Sequence, residues 1–125
     1  LALMPYCSIF DESQAVPDPA HEAVKLCLRY IHNNCTKQLS LQKMADHCHL
    51  HPNYLCSVFK KYTGFTPIAY LNHVRVENAT RLLQNKDLPM GKVAELSGFH
   101  SECQFYKQFK LIMKTTPKAY AEGLK

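Results

Sequence analysis

Residues 39–70 have the sequence LSLQKMADHCHLHPNYLCSVFKKYTGFTPIAY, and residues 88–120 repeat its pattern as LPMGKVAELSGFHSECQFYKQFKLIMKTTPKAY. The matched positions are 49 apart in the first half of the repeat and 50 apart in the second, as in Met44-Ala45-Asp46 with Val93-Ala94-Glu95 and in Thr66-Pro67 with Thr116-Pro117. One residue inserted between Phe99 and Phe109 accounts for the change in offset. An ordered internal repeat of this kind predicts two copies of one supersecondary unit.

The repeated unit is typical of two short helices joined by a tight turn. In the first copy we expect a helix over residues 41–48, a break at His49, and a second helix that begins with Pro52, where a missing backbone N–H costs nothing. A small residue, Ala45, suits the close crossing of the two helices. We therefore place a first helix-turn-helix over about residues 39–63.

The second copy has the same layout. We expect a helix over residues 90–97, a break at Gly98, and a second helix that starts near Ser101. Ser101 and Gln104 have the spacing of a capping box, which marks the start of a helix. The second helix-turn-helix is therefore predicted over about residues 88–113.

Helices are also expected outside the two copies. From Ala20 onward, apolar residues recur at helical spacing, at Val24, Cys27, Leu28 and Ile31. A long connecting helix of about residues 66–84 lies between the copies, with Thr66 as its N-cap and Pro67 in its first turn. No segment alternates with period two for long enough to form a strand, so the predicted fold class is all-α.

The length and composition exclude some classes of protein. The chain has 125 residues, 46% of them apolar, which is enough for one domain with its own core. No run approaches the roughly 18 apolar residues of a membrane span, and the first residues lack the features of a signal peptide. The six cysteines show no CxxC pair, so we expect reduced thiols and a cytoplasmic protein. Residues 1–19, which hold three prolines, are predicted to be a linker or tail from a missing N-terminal domain.

The charge is unevenly distributed along the chain. Residues 1–35 carry two basic against four acidic residues, a balance of −2, although the whole chain has a net charge of +5. The remaining 90 residues carry 13 basic against 6 acidic residues, a balance of +7. A basic body favours a polyanion such as nucleic acid as the partner.

The second helix of each unit must bury one face and present the other to a DNA major groove. We expect the inward residues to be Tyr54, Leu55, Val58, Phe59 and Tyr62 in the first copy and Phe105, Phe109 and Ile112 in the second. The outward residues are then Asn53, Cys56, Ser57 and Lys60 in the first copy and Cys103, Tyr106, Lys107 and Lys110 in the second, with Glu102 beside them. All of these except Lys110 are predicted to read bases.

Chemistry assigns separate roles within these faces. Asn53 suits an adenine edge, Lys107 suits guanine and Ser57 suits either, each contact giving about 1–3 kcal/mol of discrimination. Tyr106 and the two thiols can make only apolar or weakly polar contacts. The residues expected at phosphates, where they position the protein without reading sequence, are Lys60, Lys61, Lys110 and Arg75.

These residues resemble the DNA-binding domain of the AraC/XylS transcriptional regulators over about residues 39–120. LSLQKMADHCHLHPNYLCSVFKKYTGFTPIAYL is similar to the family's first helix-turn-helix and the turn after it. VAELSGFHSECQFYKQFK, with TTPKAY after it, is similar to the family's signature region. The resemblance implies that residues 20–125 form one DNA-binding domain of seven helices, with two helix-turn-helix subdomains and a connecting helix.

The resemblance also implies a function. Members of the family bind two adjacent major-groove segments of a promoter, activate transcription more often than they repress it, and have RNA polymerase as a further partner. Their N-terminal domain senses a small ligand, receives a phosphoryl signal or dimerises, and no cofactor is expected here. The family usually has an aromatic residue at Gln104 and glycine at Lys114. We therefore expect Lys114 to adopt a left-handed conformation, at a cost of about 1 kcal/mol.

Other classes of function remain open from the sequence. The exposed faces could contact a protein partner instead, in an all-α interaction module. A metal-responsive sensor is suggested by His47, Cys48, His49, His51 and Cys56, but their spacing fits no closed Cys/His site, so no metal site is predicted.

Oxidation of Cys56 or Cys103 would make the domain thiol-responsive. An enzyme is not predicted, because the sequence has no Gly-rich phosphate loop, no nucleophile elbow and no paired carboxylates at catalytic spacing.

Overall fold

The computed structural model describes residues 19–123, and these residues form seven α-helices and no strand. The helices are α1 (Pro19–Asn34), α2 (Leu41–Cys48), α3 (Pro52–Thr63), α4 (Pro67–Leu82), α5 (Met90–Ser97), α6 (Glu102–Met113) and α7 (Pro117–Glu122). The all-α prediction is confirmed for this part of the chain. The predicted linker, apart from Pro19, and Cys7 within it lie outside the described residues.

The described residues divide into two compact units. Unit 1 contains residues 19–34 and 39–71, so it holds the first helix-turn-helix, α2–turn–α3. Unit 2 contains residues 35–38 and 72–123, so it holds the second, α5–turn–α6, together with the short segment that precedes α2. The connecting helix α4 contributes residues to both units, and it ends at Leu82, two residues before the predicted end.

Unit 1 has its core between α1, α2 and α3. The predicted stripe of α1 is fully confirmed, since all four of its residues are buried, and the core also takes residues from α2 and α3: Val24, Cys27, Leu28, Ile31, Met44, Ala45, Cys48, Leu55, Val58 and Phe59. Tyr70 at the start of α4 closes this core, with its ring 5.7 Å from that of Phe59. The Tyr70 hydroxyl lies 2.6 Å from Nε2 of His32 on α1. This core fixes α3 against α1 and α2, so that the other face of α3 points to solvent.

Unit 2 has an aromatic core. Its buried residues come from α4 and the residue after it, from α5 and α6, and from the turn between the last two helices: Val76, Ala79, Leu83, Val93, Ala94, Phe99, Phe105 and Phe109. Phe105 lies 5.6 Å from Phe99 and 5.7 Å from Phe109, between ring centroids, in tilted and edge-on arrangements that aromatic rings prefer. Tyr120 of α7 packs edge-on against Phe109 at 5.6 Å. Ala45, which the sequence places at the close helix crossing of the first copy, is buried, and so is its counterpart Ala94 in the second.

The helix starts follow the capping residues in the sequence. Ser40 Oγ accepts from the backbone N–H of Lys43, and Ser101 Oγ accepts from that of Gln104, each at 3.1 Å. Thr66 caps α4 in the same way, through the N–H of Ala69 at 3.2 Å. Because each cap satisfies a backbone donor that the helix leaves unpaired, these residues determine where the helices begin.

Two helix ends in each copy carry a residue in the left-handed conformation. At the turn of the helix-turn-helix, this residue is His49 (φ 58°) in the first copy and Gly98 (φ 107°) in the second. After the second helix, it is Gly64 (φ 83°) in the first copy and Lys114 (φ 64°) in the second. The prediction for Lys114 is confirmed, whereas the left-handed His49 was not predicted.

Candidate nucleic-acid interface

Helix α3 has a buried apolar stripe on one face and an exposed polar surface on the other. Leu55, Val58 and Phe59 are buried, as predicted. The outward residues Asn53, Ser57 and Lys60 are exposed, and Cys56 is half-buried at the edge of this face. The arrangement gives α3 one continuous polar surface that a groove can accept, and the base-reading roles of these residues stay predictions.

Tyr54 does not point inward as predicted, because it is 51% exposed. Successive helical residues are about 100° apart around the helix axis, so Tyr54 lies about 100° from Leu55, where the buried stripe begins. Tyr54 and Ser57 are three positions apart and share one side of the helix. Tyr54 is therefore a candidate contact residue that the sequence analysis missed. Tyr62, also expected inward, is only half-buried.

The start of α3 is held by its own cap. His51 Nδ1 accepts from the backbone N–H of Asn53 at 3.2 Å, and Pro52 occupies the first helical position. The first turn of α3 has no acidic residue, and its last turn carries Lys60 and Lys61. Lys61 is exposed and lies over the Tyr62 ring, 5.4 Å from its centroid. This helix therefore presents a neutral end and a basic end on one exposed surface.

The outward face of α6 is more acidic at its start. Glu102, Cys103, Lys107 and Lys110 are exposed, but Tyr106 is half-buried against the aromatic core, with its ring 5.7 Å from that of Phe105. Tyr106 is thus less available than predicted, because its ring packs on the core. Ile112, expected inward, is only partly buried against that core.

An open cleft of about 430 Å³ lies beside the start of α6. Its lining joins α5, the turn and α6, and consists of Gly91, Ala94, Glu95, Phe99, His100, Ser101 and Glu102. A Cβ atom added to Gly91 would meet Oε2 of Glu102 at 3.0 Å, so the Glu102 side chain lies back over α5. Two carboxylates therefore border this cleft, and they oppose the approach of a phosphate to the first turn of α6.

The predicted phosphate contact at Arg75 is wrong. Arg75 is only 6% exposed, and its Nε donates to the Cys35 carbonyl at 2.8 Å. A second nitrogen donates to the Lys37 carbonyl at 2.9 Å, and the guanidinium lies over the Phe99 ring at 6.0 Å. Burial lowers the pKa of Arg75, an effect partly offset by the Cys35 thiol. Arg75 anchors the segment before α2, a role that requires tertiary contacts across 40 residues of chain.

The His and Cys cluster suggested as a metal site is dispersed. His47 stacks on Tyr30, with 4.1 Å between ring centroids, and Cys48 is buried. His49 and His51 occupy helix-cap positions. In residues 19–123 no group of three or more His, Cys, Asp or Glu residues is arranged to hold a metal ion. Within the same range, no helix is both long enough and apolar enough to cross a bilayer.

Comparison with known proteins identifies the family. A family model described as a helix-turn-helix domain matches residues 44–123. The regulatory protein PocR of Salmonella typhimurium is 34% identical over 108 residues, which are 86% of this chain and 36% of PocR. The chain belongs to the AraC/XylS family of transcriptional regulators. The bifunctional transcriptional activator/DNA repair enzyme AdaA of Bacillus subtilis is 33% identical over 104 residues, 83% of this chain and 49% of AdaA.

Solved structures of AraC/XylS-type domains have the same fold. The C-terminal domain of the response regulator yesN from Fusobacterium nucleatum matches with a TM-score of 0.74 and 32% identity, over 80% of this chain and 98% of that domain. The DNA-binding domain of AdpA in complex with a target DNA matches with a TM-score of 0.69 and 27% identity, over 86% of this chain and 93% of that one. The chain thus matches nearly the whole of both solved domains, and it spans about a third to a half of PocR and AdaA.

Proposed function

We propose that the chain is a sequence-specific DNA-binding domain that places α3 and α6 in two adjacent major-groove segments of a promoter. The observation that carries this proposal is that one helix-turn-helix occurs twice and exposes the equivalent face of its second helix each time. The related AdpA domain was solved on a target DNA, which supports the same mode of binding here.

The structure refines which residues we propose for each role. Base reading is assigned to Asn53, Cys56, Ser57 and Lys60 on α3 and to Glu102, Cys103, Lys107 and part of Tyr106 on α6. Tyr54 joins the first set, because its exposed ring and hydroxyl offer both an apolar contact to a thymine methyl and a polar one to a backbone oxygen. Phosphate contacts are assigned to Lys60, Lys61 and Lys110, without Arg75.

The role of the whole protein is proposed from its relatives. The HTH-type transcriptional activator RhaS of Pectobacterium carotovorum is 31% identical over 98 residues, which supports activation as the outcome of binding. We propose RNA polymerase as a further partner and an N-terminal sensor or dimerisation domain as the remainder of a cytoplasmic regulator. Binding, not catalysis, is the proposed activity of this domain, although AdaA combines regulation with repair.

Selection of bound sites from a random duplex library tests the proposal. The wild-type chain should enrich one motif, and Asn53→Ala and Lys107→Ala should each relax the preference at different positions by about 1–3 kcal/mol. Arg29→Ala removes the same charge as Lys107→Ala from an exposed position on α1, and it should leave the motif unchanged. A motif insensitive to both Asn53 and Lys107 would overturn the assignment of the reading faces.

Salt dependence separates DNA binding from protein interaction. Counterion release predicts that affinity for random duplex falls steeply between low and moderate salt, with a slope set by the number of phosphates contacted. A protein-interaction module would bind random duplex weakly at either salt concentration, and this result would favour that alternative.

A further inference from the structure

Two buried cysteines meet at the end of α2. Cys27 lies in the middle of α1 and is fully buried, and Cys48 is the last residue of α2 and is 7% exposed. Neither thiol is in a disulfide. Neither belongs to the proposed DNA-contacting faces.

Cys48 packs against the part of α1 that contains Cys27. Cys48 Sγ lies 3.6 Å from the carbonyl oxygen of Ala23. In an α-helix that carbonyl accepts the backbone N–H four residues later, which here is the N–H of Cys27. The Cys48 sulfur therefore packs on the turn of α1 that carries Cys27, and each of the two thiols shifts the pKa of the other.

The two sulfurs have different chemical character. The neighbouring Cys48 thiol and burial raise the pKa of Cys27, which therefore keeps its proton. The hydrogen bond from Cys27 lowers the pKa of Cys48, against the opposing effect of burial. Cys48 is also the more exposed of the two cysteines, so a peroxide reaches Cys48 first, and Cys27 is the sulfur that follows.

We propose that Cys27 and Cys48 form a reversible dithiol–disulfide pair that a hydroperoxide oxidises. The Cys48 thiolate attacks the peroxide, the O–O bond breaks, and an alcohol or water leaves while Cys48 becomes a sulfenic acid. The Cys27 sulfur then attacks the Cys48 sulfur, the S–S bond forms, the S–O bond breaks and water leaves. The two thiols lose two electrons and the peroxide gains them.

The cross-link would act on the first helix-turn-helix. A disulfide brings two sulfurs to about 2.05 Å, closer than any non-bonded contact, so we expect the end of α2 to move towards α1. Cys48 directly precedes the left-handed His49 of the turn, and α3 follows four residues after Cys48. A shift there displaces the outward face of α3. This consequence for DNA rests on the proposed function, whereas formation of the disulfide does not.

Peptide mapping of the oxidised protein tests the pair. Trypsin places Cys27 in the peptide of residues 26–29, but it leaves Cys48 and Cys56 together in residues 44–60. The Cys56→Ala chain is therefore treated with hydrogen peroxide, alkylated and digested without reductant. We expect the two peptides to be disulfide-linked and to separate after dithiothreitol.

Single alanine substitutions at each cysteine of the pair, and at Cys103 outside it, serve as controls. Cys48→Ala and Cys27→Ala, each in the Cys56→Ala background and each verified as folded by circular dichroism, should abolish the link, whereas Cys103→Ala should preserve it. The proposal is overturned if Cys27 and Cys48 remain alkylatable after peroxide while Cys103 is oxidised. It is equally overturned if the linked peptides contain other cysteines.

A DNA measurement separates this proposal from the proposed function. In the Cys56→Ala/Cys103→Ala background, oxidised chain should bind duplex about tenfold more weakly than the same chain reduced, comparable to the loss of one base contact, and adding Cys27→Ala should abolish this response. A disulfide that forms in a chain with no DNA affinity in either state supports the pair and contradicts the function. DNA binding without any Cys27–Cys48 link supports the function and contradicts the pair.

Discussion

The two helix-turn-helix units use the same backbone with different residues at the same special positions. The first unit has His49 at its turn and glycine after its second helix, and the second unit has Gly98 at its turn and Lys114 after its second helix. Each unit therefore supports one left-handed residue that carries a side chain. The left-handed conformation is therefore a property of the backbone of the unit at both positions. The surrounding contacts decide at which position only glycine fits.

The glycine at the second turn is required for two reasons. A Cβ atom on Gly98 would lie 2.3 Å from the Cys35 carbonyl oxygen and 2.9 Å from Arg75 Nε, in addition to the strain of φ 107°. A Cβ atom on Gly64 would meet nothing within 4 Å. His49, the counterpart of Gly98, is exposed.

The largest expected effect is therefore the contrast between two glycine substitutions. Gly98→Ala should lower the free energy of unfolding by about 3–5 kcal/mol, from overpacking against backbone and from left-handed strain together. Gly64→Ala should cost only about 1 kcal/mol, because strain acts there alone. Urea denaturation followed by circular dichroism measures both values, and equal costs would contradict the packing argument.

The next effect distinguishes the buried arginine from an exposed one. Arg75→Met should destabilise the chain by about 2–3 kcal/mol, because the Cys35 and Lys37 carbonyls lose their donor and the first of these hydrogen bonds is buried. Arg81→Met removes an exposed guanidinium and should change stability by less than about 0.5 kcal/mol. The folded Arg75→Met protein should keep the wild-type salt slope for duplex binding, whereas Lys110→Ala should reduce it by about 1. A reduced slope for Arg75→Met would restore the phosphate role.

A smaller effect is expected where the two reading helices differ at the third helical position. Tyr54→Ala should weaken binding to the selected site by about 1 kcal/mol, the lower end of a lost base contact, with less than about 0.5 kcal/mol change in stability. Its counterpart Gln104→Ala gives the comparison in the second unit. A Tyr54→Ala chain that is destabilised by more than about 2 kcal/mol would show that Tyr54 belongs to the core.

The smallest effect should be a gain in stability. His49→Gly and Lys114→Gly should each raise the free energy of unfolding by about 0.5–1 kcal/mol, because each removes left-handed strain. Part of the gain is lost because glycine increases the conformational entropy of the unfolded chain. Thermal melting of both variants, together with Gly64→Ala and Gly98→Ala, tests whether left-handed strain affects stability at all four positions. A loss of stability in either variant would show that its side chain makes a stabilising contact.

Local signals in the sequence predict the helices closely. The caps Ser40, Thr66 and Ser101 and the prolines at the first turns mark the helix starts within one or two residues, because each satisfies or omits a backbone donor locally. The outward residues of α3 and α6 also follow from helical periodicity. Periodicity was less reliable at the borders of a stripe, where Tyr54 is exposed and Tyr62, Tyr106 and Ile112 are half-buried.

By itself, the sequence determined that one two-helix unit occurs twice, where its helices begin, and which side of each second helix is polar. Those properties depend on neighbours within a few residues, so the local order of side chains is sufficient. Only the tertiary structure decided that Arg75 is an anchor, that Gly98 must be glycine, and that Cys27 meets Cys48. Each of these depends on groups more than 20 positions away in the chain, and helical periodicity carries no information about which distant carbonyl or thiol will lie opposite a side chain.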